Sequence, residues 1–391
     1  MTILLGILLT LIVFTFIVFI HEMGHFITAR LTGMKVQEFG IGIPPKAKLL
    51  GKDKKWTEYT LNWLPIWGFV RIKWEDPGSD DAIEKDAFSS KKWWARALVL
   101  VAGVSMNFIL ATVIFFWFFV SWASPIGPNT VLEKDYGSYF LPSFEASMKS
   151  GYITHSGISL TPLSGSLAMR SGILPGDLLV SLDGQPMRDI DTFRTSISKW
   201  DSHVFVVSGT WGSRSITMTP ESGKIGVYLS YKDLALDRDY AQKFTLSESL
   251  VGSLSETWAL SHMTLDVLGS TLRKLISPQN TEERREATEM ISGPIGIGST
   301  FTEVVKIWVT WKIVWSIIAL LSINLWVLNI LPFPALDGGR LVSTTVRSIV
   351  GLFTHRQNML NTIEYLFHSF GMILLLWLSL LIAVLDVSKL F

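Results

Sequence analysis

The residues best suited to chemistry lie together near the end of the first apolar stretch, in the sequence His21-Glu22-Met23-Gly24-His25. The two histidines are four positions apart, so in a helix both imidazoles project from one face and can bind the same metal ion. Glu22 is placed to reach a metal-bound water rather than the metal itself. Burying these groups at membrane depth is costly unless they serve a site. The spacing therefore predicts a metal site with an adjacent general base.

A third ligand is available much later in the chain, at Asp337. It follows the proline-broken end of another apolar stretch and precedes Gly338 and Gly339, which permit a close backbone approach. An interfacial turn aspartate is the alternative interpretation. Because the chain has no cysteine, a metal must be held by His, Asp or Glu. Two histidines and a carboxylate meet the count of three protein ligands used by catalytic zinc sites, so the predicted cofactor is Zn²⁺.

Composition and hydropathy place these residues in a membrane protein. Apolar residues make up 49% of the 391 and charged residues 17%, values that indicate a membrane protein with a soluble portion. The net charge of +1 gives no reason to propose nucleic acid as a partner. His368 and Asp386, at the ends of the last span, are interpreted as interfacial or snorkelling side chains. The spans are predicted at residues 1–30, 97–122, 309–340 and 365–391.

Basic residues decide two further points about the first span. None precedes Arg30 and no small-residue cleavage site is present, so a signal peptide is disfavoured. Lys and Arg are concentrated in residues 31–96, which indicates a cytoplasmic loop. Both termini and residues 123–308 are then extracytoplasmic, residues 341–364 are cytoplasmic, and the metal motif lies near the cytoplasmic face.

Residues 56–73, inside the first cytoplasmic loop, are apolar and aromatic but interrupted by Pro65 and Gly68. This pattern predicts two short strands around a turn, a β-hairpin able to dip into the membrane toward the site. Its open edge could pair with an extended peptide by strand addition. A surface hairpin with interfacial tryptophans is the alternative.

The extracytoplasmic stretch 123–243 contains a predicted β-rich domain at about 155–230. Its signature, Pro175-Gly176-Asp177 followed by a strand and the Asp183-Gly184 turn, resembles a bacterial PDZ domain, which binds extended chain ends. A domain that only occludes access is the alternative. Residues 244–308 are predicted to be an amphipathic helix to residue 276, on the membrane or beneath the PDZ domain, followed by a charged, mobile linker. Core packing of the apolar face is the default expectation for this helix, and interfacial binding is the alternative.

Three asparagines lie within predicted spans. For Asn107, a hydrogen bond between helices is the favoured interpretation. Asn324 or Asn329 could donate to a developing oxyanion or hold substrate backbone.

Taken together, the motifs resemble the site-2 proteases, and within them the bacterial regulator-of-sigma-E type. The resemblance rests on His-Glu-x-x-His in the first span, Asn329-x-x-Pro-x-Pro-x-x-Asp337-Gly338 in the third, and a PDZ insertion after the second. It implies that His21, His25 and Asp337 bind zinc and that Glu22 is the catalytic base. Two departures are Val104, where the family pattern has proline, and a single PDZ domain where the enterobacterial type has two.

The resemblance also implies the fold, the partners and the place of action. The fold is an α-helical membrane protein with four transmembrane helices, a membrane-reentrant β-hairpin and an inserted β-rich PDZ domain, in the lipid bilayer of the bacterial inner membrane. The substrates are single-pass transmembrane proteins, such as an anti-sigma factor, or signal-peptide remnants, cut after an earlier extracytoplasmic cleavage. The implied substrate-binding residues are Asn324, Asn329, Gly68, Phe69, Val70 and Asn107.

Two other functions stay open from the sequence. A membrane zincin of the heat-shock or CAAX-processing kind is disfavoured, because those enzymes take a Glu as third ligand from a later helix. A membrane PDZ adaptor with an inactive metal site predicts that Glu22→Gln leaves function intact.

Overall fold

The computed structural model describes residues 2–73, 84–121, 124, 134–197, 201–221, 224–237, 240, 242–291, 293, 296, 311–351, 353 and 357–388. Trp122 at the predicted end of the second span and most of the Gly-rich stretch 292–298 lie outside these residues. The chain divides into two compact units. The first comprises Met1–Ile126, Tyr136–Phe140 and Gln242–Phe391, and the second comprises Gly127–Asp135 and Leu141–Ala241.

The first unit is mainly helical. Four of its described helices are long and apolar enough to cross a membrane, at Leu5–Leu31, Trp93–Val120, Trp311–Ile330 and Thr362–Val387. This agrees with the four predicted spans. In chain order, the described elements are α1 (Thr2–Leu31), β1 (Val36–Lys52), β2 (Glu58–Ile72), α2 (Trp93–Val120), α6 (Leu246–Ile276), α7 (Thr281–Met290), α8 (Trp311–Ile330), α9 (Asp337–Val350) and α10 (Gln357–Ser388).

Helices α1 and α2 pack closely because small residues line their contact. A Cβ atom added at Gly24 of α1 would lie 2.4 Å from the carbonyl oxygen of Ala102 in α2. Small residues let the backbones of membrane helices approach each other, where the hydrophobic effect gives no driving force. At the C-terminal end of α1, a small apolar core of Ala29, Val36 and Leu100 joins α1, β1 and α2. This contact fixes the helix of the His motif against its neighbours.

Strands β1 and β2 form an antiparallel ribbon in which part of each strand pairs with two separate segments of the other, one on each side. Gly40 is paired with both Phe69 and Thr60, and Thr60 is in turn paired with Leu49. The order across the ribbon is therefore 46–52, 58–62, 38–41 and 68–72. The hairpin predicted within 56–73 was wrong: residues 58–72 form one strand, β2, whose two halves each pair with β1 rather than with each other. Residues 68–72 form one outer edge of the ribbon.

Helix α6 packs along two of the apolar helices. Thr257 Oγ1 lies 3.1 Å from Thr112 Oγ1 of α2, and Thr264 Oγ1 donates to Asn324 Oδ1 of α8 at 3.1 Å. The helix forms where the sequence predicts an amphipathic one. Its contacts are those of a helix packed against other helices, the default expectation, rather than of a helix lying on the membrane surface. Residues 281–290, predicted to be a mobile linker, form α7, because Asn280 accepts a hydrogen bond from Glu283 N and caps the helix.

The segments that flank the second unit both return to α2. The ring of Phe119 is 5.0 Å from that of Phe140 and 4.9 Å from that of Phe244. The buried Glu256 of α6 accepts hydrogen bonds from the backbone of Tyr139 and Phe140, at 2.7 and 3.3 Å. The chain thus leaves and re-enters the membrane unit at neighbouring points.

The second unit is β-rich, as predicted. The described elements are α3 (Phe144–Ser150), β3 (Ile153–Thr154), β4 (Gly157–Pro162), α4 (Leu167–Arg170), β5 (Asp177–Leu182), β6 (Gln185–Pro186), α5 (Ile190–Ile197), β7 (His203–Gly209), β8 (Gly212–Met218), β9 (Val227–Lys232) and β10 (Ala235–Leu236). The main sheet has the order β8-β7-β5-β4-β9, and β6 pairs with β5. The core is built from apolar residues of the strands and α5, including Ile158, Phe193 and Phe205.

The interpretation of Asp386 as an interfacial side chain was wrong. The residue is only 2% exposed, and its carboxylate accepts hydrogen bonds from Gly293 N and Gly296 N, both at distances of 3.0 Å or less. A buried carboxylate requires such partners, since an unpaired one would be very costly. Asp386 therefore ties the chain ahead of α8 to the end of α10.

Candidate active site

Three side chains from two distant parts of the sequence converge beside α1. Asp337 Oδ2 lies 3.0 Å from His21 Nε2 and 3.3 Å from His25 Nε2, and the two imidazole nitrogens are 3.2 Å apart. Three ligands held about 2.0–2.1 Å from one tetrahedral zinc ion are separated by about 3.3 Å. Asp337 Oδ2 also accepts no hydrogen bond from any other described group. The donor set and its spacing therefore fit a zinc ion with a fourth position left open.

The far nitrogens of both imidazoles are held by α2. His25 Nδ1 donates to the carbonyl oxygen of Val99 at 2.9 Å, which leaves Nε2 with its lone pair toward the cluster. His21 Nδ1 lies 3.1 Å from Asn107 Nδ2, and Asn107 Oδ1 has no hydrogen-bond partner among the described residues. A metal on His21 Nε2 would place the ring proton on Nδ1, and a half-turn of the Asn107 amide would then bring Oδ1 to that proton as its acceptor. The contact with Val99 fixes the tautomer that metal binding needs at His25, and Asn107 can fix it at His21.

Gly103 makes room for the site. A Cβ atom added there would lie 2.1 Å from His25 Nε2, so any larger residue would collide with the imidazole. Gly103 is not among the site residues predicted from the sequence. Its position four residues before Asn107 could have indicated it, because residues with that spacing lie on one face of a helix.

Asp337 is the first residue of α9 and follows a tightly folded loop. Cβ atoms added at Gly338 and Gly339 would lie 2.3 Å from Leu331 O and 2.0 Å from Phe333 O. The two glycines thus allow the loop and the helix start to pack backbone to backbone, as their position after Asp337 predicted. This packing turns the aspartate back toward α1.

Glu22 lies between α1 and the edge of the β-ribbon. Its Oε2 accepts a hydrogen bond from Val70 N at 3.0 Å, and its Cγ is 3.9 Å from the position that a Cβ atom of Gly68 would take. The ring of Phe69 lies against Gly40 of β1. The predicted substrate strand is therefore next to the predicted catalytic base.

The three asparagines differ in their surroundings. Asn107 touches His21, in agreement with the interpretation as a hydrogen bond between helices and not with substrate contact. Asn324 is exposed and accepts from Thr264 of α6. Asn329 is 9% exposed, one residue before the end of α8. Among the contacts of the described residues, Asn107 is the one asparagine of the three that touches a predicted metal ligand.

His368, interpreted from the sequence as interfacial, instead contacts the loop that carries Asp337. Its Nδ1 lies 3.0 Å from Ala335 N. The signal for this was a titratable residue within an apolar span, which normally has a partner inside the protein.

Comparison with known proteins identifies the family of this chain. The sequence model of Peptidase family M50 matches residues 9–378. The chain belongs to Peptidase family M50, the site-2 proteases. A zinc metalloprotease of Clostridium perfringens is 29% identical over 386 residues, which cover 97% of this chain and 98% of that protein. Zinc metalloprotease RasP of Geobacillus kaustophilus is 26% identical over 470 residues, 97% of each chain. The membrane metalloprotease ARASP2 of Arabidopsis chloroplasts is 27% identical and matches 97% of this chain and 79% of its own length.

This site-2 protease is accordingly a zinc metalloprotease of the membrane, and the predicted family, enzyme class and cofactor are confirmed. Membership of Peptidase family M50 sets the chain apart from the heat-shock and CAAX-processing zincins that the sequence left open. The cluster of His21, His25 and Asp337 is the one group of three potential ligands found among the described residues.

Proposed function

We propose that this site-2 protease cleaves peptide bonds inside the transmembrane segments of single-pass proteins, after an earlier cut has removed their extracytoplasmic part. Anti-sigma factors and signal-peptide remnants are substrates of this kind. The observation that carries the proposal is the convergence of His21, His25 and Asp337, which lie in or beside helices long enough to span a membrane. Peptide bonds at this depth have no access to bulk water, so a site that binds and activates water is required.

In this proposal His21, His25 and Asp337 hold the zinc ion and Glu22 is the general base. Zinc, when bound, supplies a Lewis acid that polarises the scissile carbonyl and activates water. Glu22 takes a proton from the attacking water and delivers it to the leaving amine nitrogen. Its carboxylate is held by Val70 N, which restricts it to the side of α1 that faces the ribbon. Val99 and Asn107 keep the imidazoles in the orientation that binding requires.

Substrate is proposed to bind as a further strand on the edge formed by residues 68–72. Gly68, Phe69 and Val70 belong to this edge, and Glu22 lies beside it. An extended substrate here exposes its carbonyls, which helical hydrogen bonds would otherwise shield. Asn329 and Asn324 are proposed to contact the same substrate. The ribbon is proposed to enter the membrane, where an open edge is tolerated beside protein or a water-filled cavity.

The β-rich unit is proposed to be a PDZ domain outside the cytoplasm that controls which substrates reach the site. Its strands flank the Asp183-Gly184 turn that carries the PDZ resemblance. The basic loop between α1 and α2 supports a cytoplasmic position for the site and extracytoplasmic termini in the bacterial inner membrane.

The direct test is cleavage of a tagged single-pass substrate by purified wild-type and Glu22→Gln protein in detergent, with bound zinc measured in both. Loss of the general base lowers turnover by about 10²–10⁴-fold while zinc content stays unchanged. Equal cleavage by the two proteins would refute the role of Glu22. Loss of zinc from Glu22→Gln would show that Glu22 is itself a ligand.

Control by the PDZ domain has its own test. Wild type is expected to cut a substrate shortened on its extracytoplasmic side faster than the full-length substrate. A variant that lacks residues 155–230 should cut both at similar rates. If the variant keeps the wild-type preference, the β-rich unit does not select substrates.

A further inference from the structure

The loop that carries Asp337 is held by α10, although α10 supplies none of the predicted metal ligands. Ala335, two residues before Asp337, has a φ of +72°, which residues other than glycine seldom adopt. Within the loop, Phe333 N donates to Leu331 O and Leu336 N donates to Phe333 O. The N–H of Ala335 instead donates out of the loop, to His368 Nδ1 at 3.0 Å. The unusual backbone conformation is therefore stabilised from a different helix.

The other side of the His368 ring is also engaged. Its Nε2 lies 3.0 Å from Ser343 Oγ of α9. Because a backbone N–H can only donate, Nδ1 must carry the lone pair, so the proton is on Nε2 and is donated to Ser343. Ser343 Oγ lies 2.9 Å from Glu364 Oε1, which it can reach with its own proton. The imidazole is thus held at both nitrogens, as expected of a group that fixes geometry.

A second contact holds the same loop against α10. A Cβ atom added at Gly371, nearly one turn after His368, would lie 2.2 Å from Pro334 Cβ. The glycine thus lets Pro334 seat directly on the helix backbone. His368 and Gly371 contact adjacent residues of the loop, Ala335 and Pro334.

We propose that His368 is a positioning residue for the zinc site: by accepting the hydrogen bond of Ala335 N, it fixes the loop that presents Asp337 to His21 and His25. This inference rests on the proposed function, because it takes Asp337 to be a zinc ligand. Asp337 comes from a different part of the chain than the two histidines, so its 3.0 and 3.3 Å distances to them depend on this loop. Groups that orient a ligand without touching the metal commonly contribute 10–100-fold to affinity.

Two substitutions separate the Ala335 bond from the rest of the contacts. In His368→Asn, the side-chain oxygen is as many bonds from Cα as Nδ1, so it can still accept from Ala335 N. In His368→Gln, the amide nitrogen corresponds to Nε2 and can donate to Ser343, but Ala335 N loses its acceptor. Met372→Ala, which shortens a half-exposed side chain on the same helix, is the matched control.

The experiment measures the zinc dissociation constant of full-length protein in detergent by competition with a chelator, together with kcat and KM for a single-pass substrate. For His368→Gln we expect zinc affinity to fall by about 10–100-fold, with kcat restored by excess zinc because all three ligands are intact. His368→Asn should rescue the affinity, and Met372→Ala should bind like wild type. Gly371→Ala, which displaces Pro334, should weaken binding as His368→Gln does even if the latter is poorly folded.

Two results would overturn the proposal: wild-type affinity in His368→Gln, or equal loss in His368→Asn and His368→Gln. If His368→Gln does not fold, wild-type affinity in Gly371→Ala overturns it instead. Asp337→Ala, measured in parallel, separates this inference from the proposed function. If Asp337→Ala keeps its zinc, the ligand assignment fails. If Asp337→Ala loses zinc while His368→Gln does not, only the positioning role of His368 fails.

Discussion

Asp177 of the β-rich unit and Asp337 of the membrane unit are both largely withdrawn from solvent, and their carboxylates have different partners. Asp177 in the β-rich unit is 2% exposed, accepts from Leu174 N at 2.8 Å and forms an ion pair with Arg214. Among the described residues, Oδ2 of Asp337 in the membrane unit faces the two imidazole nitrogens and accepts no other hydrogen bond. A charge withdrawn from water needs compensation. Asp177 obtains it from a cation of the chain itself, and in the proposed zinc site Asp337 obtains it from the metal ion. The surroundings, not the burial, distinguish a structural carboxylate from a ligand.

The largest expected effect is a crossover between these two residues. Asp337→Ala should lose zinc and proteolysis while both units stay folded. Asp177→Ala should destabilise the β-rich unit by about 3–5 kcal/mol, since it leaves the Arg214 charge unpaired, and should keep its zinc. Zinc content and hydrogen exchange of the β5 and β7 amides measure the two outcomes in the same protein. Zinc loss in Asp177→Ala, or global unfolding in Asp337→Ala, would contradict the different roles assigned to the two carboxylates.

The next prediction concerns two helical glycines, one beside the predicted metal site and one away from it. Gly103→Ala places a methyl group against the His25 ring and should weaken zinc binding by about 10–100-fold. A Cβ atom added at Gly269 on α6 would meet no described atom within 4 Å other than its own helix backbone, so Gly269→Ala should leave zinc binding unchanged. The substitution also stabilises that helix by about 0.5–1 kcal/mol. Zinc competition and a thermal melt test the pair, and similar zinc affinities in the two variants would contradict the prediction.

A smaller effect is expected at Asn107. Asn107→Leu removes the acceptor for His21 Nδ1 and should lower zinc affinity about tenfold. Asn107→Asp keeps an acceptor oxygen and should retain zinc, in a carboxylate–histidine–zinc arrangement. If Asp is as damaging as Leu, then the amide is not the acceptor for the Nδ1 proton.

The smallest effect concerns an exposed carboxylate of the β-rich unit. The hydrogen bond from His203, assisted by Val204 N, holds the pKa of the Asp183 carboxyl below its ordinary value of 3.8. The stabilisation is therefore complete at neutral pH and is lost as the pH falls through the lowered pKa. Because Asp183 is about half exposed, Asp183→Asn should cost less than about 1 kcal/mol at pH 7. Hydrogen exchange of β5 should therefore show a smaller difference between Asp183→Asn and wild type at pH 3 than at pH 7.

The metal cluster was predictable because its signal is local. Four-residue spacing on a helix places His21 and His25 together, and Pro332, Pro334 and the glycines beside Asp337 announce a turn. The strand β1 was not predictable, since Gly40, Gly42 and Pro44-Pro45 hide any alternation of apolar residues. His368 and Asp386 were visible as polar groups in an apolar span, but their partners are backbone N–H groups, which are present at almost every residue. A sequence shows that a buried polar group needs a partner, not which partner it has.

The two anchors at Phe140 and Phe244 have a consequence for how the chain assembles. Both rings rest on Phe119, so the intervening stretch of about a hundred residues begins and ends at one point of the host. The entropic cost of closing a loop grows only with the logarithm of its length, so a long inserted segment adds little to it. Domain insertions are best tolerated where the ends lie close together. The β-rich unit can therefore fold separately while the membrane helices assemble, and it can be gained, lost or exchanged without any change to the helices that carry the predicted zinc site.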